Sequence, residues 1–118
     1  SERNFLWQRG ASLYIASKII APKFEKKFPD FSTKKFCEAI QSKYEPSKDI
    51  VKIFQEIGKE IGDKKFITLL QKISLKVEHS VSEIESMDFL IKELKPFISE
   101  NMIDNLKIVR NRLLEMKK

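Results

Sequence analysis

Apolar residues recur every third or fourth position along almost the whole chain, and only three glycines and four prolines in 118 residues interrupt them. That period lines one face of a helix, whereas a half-buried strand alternates with a period of two. Pro22, Pro29, Pro46, Gly62 and Pro96 punctuate a chain that is otherwise helical throughout. The expectation is an all-α fold, a single irregular globular helical domain of about six helices spanning residues 1–118. Its apolar stripes are broader than a two-in-seven seam, and no repeat or long polar linker divides it.

The segments follow from the punctuation. The first, Asn4 to Ala21, places Leu6, Leu13, Ala16 and Ile20 on one stripe and ends before Pro22, whose ring disfavours helix in the preceding residue. A short turn of helix, Pro22 to Phe28, leads to a Phe28-Pro29-Asp30-Phe31 corner. Ser32 or Thr33 then caps Lys34 to Lys43, which turns Phe36, Ala39, Ile40 and Tyr44 inward. After Pro46, Ser47 caps a helix carrying Ile50, Phe54, Ile57 and Ile61, closed by a left-handed Gly62. Asp63 caps the next, with Phe66, Leu69, Leu70, Ile73 and Val77 inward and fraying near His79 or Ser80. Ser82 and Glu85 have capping-box spacing ahead of Met87, Leu90, Ile91 and Leu94. Ser99 caps Glu100 to Met116, with Ile103, Leu106, Val109 or Arg110, and Leu113 inward.

Several chemistries are excluded early. Cys37 is the one cysteine and His79 the one histidine, too few for a disulfide, an iron–sulfur cluster or a metal site built from Cys and His. Without strands there is no P-loop or dinucleotide fingerprint. Cys37 reads as a small buried apolar residue and His79 as a half-exposed imidazole capping a helix end. Glu83 with Glu85, and Glu56 with Glu60, read as solvated ion-pair faces. No apolar run reaches the roughly 20 residues that span a bilayer, and no signal sequence opens the chain. A soluble, cytoplasmic protein with no membrane partner is expected. Lys and Glu lead a charged fraction of 34%, a bias described for hyperthermophile proteins.

Charge narrows the partner. Of a net +6, +5 lies in residues 1–43, where nine Lys or Arg face four acids. Such asymmetry suits a polyanion, although a solvated Lys-rich surface looks much the same. At helical spacing Arg3, Trp7, Tyr14 and Lys18 share a side of the first helix, with Gly10 and Ala11 keeping its middle shallow. Read outward, this is a groove with basic ends and aromatic walls: Arg3, Arg9 and Lys18 for phosphates, Trp7 and Tyr14 for a base. Arg9 is expected close enough to that side to reach a phosphate. Read inward, Trp7 and Tyr14 are core aromatics and Gly10 and Ala11 allow close helix packing. A secondary basic patch, Lys23, Lys26, Lys27, Lys34 and Lys35, follows. Arg110 and Arg112 suit either bidentate anion contacts or ion pairs to a neighbouring helix.

The stretch Trp7-Gln8-Arg9-Gly10-Ala11-Ser12-Leu13-Tyr14-Ile15-Ala16-Ser17-Lys18 resembles a helix in the C-terminal domain of the large subunit of archaeal and eukaryotic DNA primases. In that family an Arg followed by small and apolar residues and then a Lys binds the triphosphate of the initiating nucleotide. The whole chain is similar to the small, cluster-free third subunit of some archaeal primases. The resemblance implies that Arg9 and Lys18 take the phosphate-binding places, that a nucleoside triphosphate is the ligand, and that no iron–sulfur cluster is held. The four cluster cysteines of the large subunit have no counterpart here, Cys37 standing alone.

The function expected is therefore a non-catalytic accessory subunit of a DNA primase. It would bind initiating nucleotide, primer 5′ end or single-stranded template and promote primer synthesis. Its partners would be the catalytic and large primase subunits, with catalysis and its divalent metal residing in the partner. The alternative is a helical protein-interaction module anchored by Trp7, Phe24, Phe28 and Phe31.

Overall fold

A computed structural model describes residues 5–32, 34–35 and 45–116. Its helices are α1 (Leu6–Ile15), a π-helical turn (Ala16–Ile20), α2 (Ala21–Lys27), α3 (Glu45–Ile61), α4 (Asp63–Lys76), α5 (Glu83–Leu94) and α6 (Glu100–Met116). α1, the π turn and α2 run on as one rod, so these elements make five helical rods and the expected all-α class stands. The segment expected over Lys34 to Lys43, with Cys37, lies outside the described residues apart from the helical pair Lys34 and Lys35.

Pro22 does not stop the first helix. The Ala21 N–H bonds the Ala16 carbonyl, one residue further back than in an α-helix, and the chain restarts as α2 with Pro22 in its first turn. In a regular helix the proline ring would strike the carbonyl four residues before it. The wider π turn re-phases the backbone just ahead of that position and keeps the rod continuous.

α3 is the hub, packed against α1, α4 and α6, while α5 closes the bundle on α6 and α4. Its strong period buries Ile50, Phe54 and Ile57, and Val51 and Ile53 beside them reach the flanking helices. Fully burying one such side chain contributes about 1.5–3 kcal/mol. α1 reaches α3 closely because Gly10 faces Ile50: a Cβ at residue 10 would lie 2.6 Å from the Ile50 Cγ2.

Most helix ends follow local chemistry. Ser82 accepts the Glu85 N–H at 3.2 Å and Ser99 the Met102 N–H at 3.3 Å. Gly62 has φ 100°, open only to glycine at low cost, and lets α4 leave α3 after a single residue. Two caps differ from expectation. α3 begins at Glu45 with Pro46 in its first turn, a place proline tolerates, so Ser47 is already helical. Asp63 is the first helical residue of α4 rather than its cap, and its carboxylate is engaged elsewhere.

The expected inward stripe of the first helix needs correction. Ile20 is 51% exposed, and Leu6 and Ala16 are only half-buried. The buried side is instead Trp7, Gly10, Ala11, Tyr14, Ser17 and Ala21, with Leu13 at its margin. Two large aromatics remove more apolar surface from water than Leu6 and Ile20 would, and Gly10 supplies the close approach that seats them.

Candidate nucleic-acid interface

That rotation takes the aromatic walls out of the expected groove. Trp7 is 1% exposed, and its Nε1–H donates to the buried Ser86 Oγ at 3.0 Å. Tyr14 is 0% exposed, held edge-on to Phe54 and tilted against Phe66. Its O–H donates to Asp63 Oδ1 at 2.5 Å. Neither ring has a face to offer a base, so the stacking roles assigned to Trp7 and Tyr14 are withdrawn. They are core aromatics whose polar tips are satisfied inside the fold.

The Tyr14 site is a structural joint. Burial first, then the hydrogen bond to Asp63 and its negative charge, push the phenol well above its ordinary pKa of 10.0. Lys18 Nζ lies 3.7 Å from the other Asp63 oxygen, so its charge is directed to that carboxylate rather than outward to a phosphate. Gly58 makes room for the joint, since a Cβ there would overlap the Tyr14 hydroxyl and the Asp63 carboxylate. Sequence reasoning passed over Gly58. Its signal was a glycine beside Ile57 in a strongly amphipathic helix, which marks close approach as well as weakness.

Arg9 follows Trp7 by two residues, about 200° around a 3.6-residue helix, and stands exposed on the opposite side of α1 from the aromatics. The expected convergence of Arg9 with that side is therefore also withdrawn. Arg3 lies outside the described residues. Glu83 proves to be no solvated ion-pair residue: both its carboxylate oxygens accept the Leu6 N–H at 3.2 Å, satisfying a donor at the start of α1. His79 is exposed and lies parallel to the Phe5 ring at 6.1 Å.

The secondary basic patch fares differently. Lys23, Lys26 and Lys27 on α2 and Lys34 and Lys35 beyond the corner are all exposed. Among the described residues four ion pairs form, Lys18–Asp63, Lys76–Glu93, Arg110–Asp88 and Arg112–Asp49, and none involves these five lysines. Arg110 grips Asp88 with two bonds, Nε to Oδ1 at 2.6 Å and Nη2 to Oδ2 at 3.1 Å. Of the two readings of Arg110 and Arg112, the structure takes the ion pairs. The shallow groove between α3 and α6 that Arg112 lines also holds Asp49, Lys52, Glu56 and Asn105, a mixture of signs with no field for a polyanion.

Phenylalanines stand among these lysines. Phe24 is 45% and Phe28 50% exposed, their rings stacked at 6.0 Å and 24°. Phe31, half-buried, lies 5.8 Å from Phe24, brought back by a turn in which its N–H donates to the Phe28 carbonyl at 3.0 Å. Ile19 and Ile20 in the π turn are exposed alongside. Among the described residues no group of three or more His, Cys, Asp or Glu could hold a metal ion, and no helix is long and apolar enough to cross a membrane. No protein-family model, no curated protein and no solved structure matches the chain.

Proposed function

We propose that this chain is a non-catalytic helical accessory subunit of a DNA primase that binds the phosphates of initiating nucleotide, primer 5′ end or single-stranded template. The observation that carries the binding part is the clustering of five exposed lysines, Lys23, Lys26, Lys27, Lys34 and Lys35, that make no ion pair among the described residues. Like charges held together at a surface repel one another, and a polyanion relieves that repulsion while releasing its own counterions. Arg9, exposed on the same rod, extends the positive surface along α1. The primase assignment rests on the resemblance of residues 7–18, in which Arg9 keeps an outward position and Lys18 does not. The subunit would aid a catalytic partner by holding nucleotide or template where the entropy cost of assembly is reduced.

Fluorescence anisotropy with a 5′-triphosphorylated labelled single strand, and competition by ATP, tests the reading. Binding that weakens steeply between 50 and 200 mM salt is expected, as is a weaker complex for Arg9→Ala and for a Lys23→Gln/Lys26→Gln/Lys27→Gln variant. Co-purification with the catalytic and large primase subunits tests the assignment to that assembly. No binding of strand or ATP at low salt would overturn the nucleic-acid reading. The protein-interaction alternative is favoured by exposed Ile19, Ile20, Phe24 and Phe28, and it expects a partner whose affinity barely responds to salt.

A further inference from the structure

We infer that Phe24 and Phe28, braced by Phe31, are a base-stacking platform, and that the ligand of the basic patch is an unpaired single strand rather than a duplex or a free nucleotide. The inference rests on the phosphate-binding reading above and adds to it the part of the strand that is read. The replacement of Trp7 and Tyr14 by Phe24 and Phe28 follows from burial alone: the first pair is inside the core, the second keeps about half of each side chain in water. Leaving two large apolar rings exposed forfeits the stabilisation their burial would give, and the fold shows that it can bury aromatics, since Trp7, Tyr14, Phe54 and Phe66 are all fully enclosed.

Charge selects the occupant. On α2, Lys23 and Lys27 are one turn apart and make a row about 60–100° around the helix from Phe24, and Lys27 immediately precedes Phe28. A row of cations thus runs beside a row of rings, with Lys26 further round the helix. A seven-residue helix offers a lipid surface little apolar area, and binding there scales with that area. A docked apolar peptide covers the rings but leaves the lysine row without a counter-charge. A single strand offers the matching pair of rows, bases along one edge and phosphates along the other. Duplex hides its base faces, and a mononucleotide presents only one.

Equilibrium binding of fluorescein-labelled (dT)20, of the same sequence as a duplex, and of labelled ATP separates these ligands. The single strand is expected to bind most tightly. Phe24→Leu/Phe28→Leu keeps apolar bulk but removes the ring faces, and is expected to weaken single-strand binding about tenfold or more while leaving the slope of log affinity against log salt unchanged. Phe24→Trp/Phe28→Trp restores or improves it. The Lys23→Gln/Lys26→Gln/Lys27→Gln variant does the converse, flattening the salt slope by about 0.7 for each phosphate contact removed. Both Phe positions are exposed, so thermal unfolding of these variants checks that the fold is intact.

Four results would decide against the platform. Leucine variants that bind (dT)20 as well as wild type, with the lysine variant weakened, overturn the stacking role and leave the phosphate reading standing. Equal affinity for duplex overturns the selectivity for unpaired bases. Failure of the wild type to bind any of the three ligands at 50 mM salt sinks both readings. Phenylalanine-dependent binding to vesicles containing 30% phosphatidylserine, without binding to (dT)20, reassigns the patch to a lipid surface.

Discussion

The bundle formed by α1 and α3–α6 and the stretch of α2 with its corner use the same residue types to opposite ends. In the bundle, Trp7, Tyr14, Phe54 and Phe66 are enclosed, with Trp7 matched to Ser86 and Tyr14 to Asp63, while Phe97 in the turn between α5 and α6 stays 43% exposed. Its exposed cations include Arg110 and Arg112, each held by a carboxylate of another helix. Around α2, Phe24 and Phe28 stay in water and the lysines lack acidic partners among the described residues. Enclosed rings and paired charges of this kind serve the fold. Where both are left open side by side, the surface is suited to a ligand that supplies apolar faces and negative charge together.

The contrast breaks first at Trp7. Trp7→Ala is expected to cost about 3–5 kcal/mol, because it leaves a core cavity and strands the Ser86 hydroxyl. Urea unfolding measures it, and a loss under 1 kcal/mol would mean that Trp7 is not the core residue described. Gly10→Ala sets two effects against each other. Helix propensity favours alanine by up to about 1 kcal/mol, but a Cβ 2.6 Å from Ile50 Cγ2 forces α1 off α3 at about 1–3 kcal/mol. Net destabilisation is expected, and a rise in the urea midpoint would show that the two helices are not in that contact.

Tyr14 sharpens the comparison through pH. Its phenol is raised in the folded state above the ordinary 10.0, so above pH about 10 the unfolded chain releases a proton that the folded chain retains. Stability from this group is fully present below pH 10 and declines as pH rises beyond it. Comparing urea midpoints at pH 8 and pH 10.5, the decline should be smaller in Tyr14→Phe than in wild type, and equal declines would remove the Tyr14–Asp63 bond from the account. The smallest effect belongs to the other region. Phe24→Ala/Phe28→Ala should change stability by no more than about 0.5 kcal/mol, because neither ring is buried.

Much of this was legible in the residues themselves. The helix Glu100–Met116, the Ser82 and Ser99 caps, the left-handed Gly62 and the inward faces of α5 and α6 follow from local chemistry and period. The first helix was harder, because it is apolar on two sides: Leu6, Leu13, Ala16 and Ile20 make one stripe and Trp7, Ala11 and Tyr14 another. Period alone does not rank the two. The π turn was equally hidden, because Pro22 signals a stop by its own geometry and only the backbone around it shows how the rod continues. Of the candidate site, the lysine patch was readable as a cluster of charge, while the exposure of Phe24 and Phe28 was not.

By itself the sequence determined that the chain is helical, where most helices start and stop, and that its positive charge gathers in the first third. These depend on neighbours within a turn or two, and such contacts are encoded locally. Tertiary structure decided which side of α1 faces inward, because that depends on Gly10 meeting Ile50, Trp7 meeting Ser86 79 residues away, and Tyr14 meeting Asp63 49 residues away. No local pattern records which partners will be present at such separations. Only packing chooses between two apolar stripes, and by enclosing one set of aromatics it left the other in water.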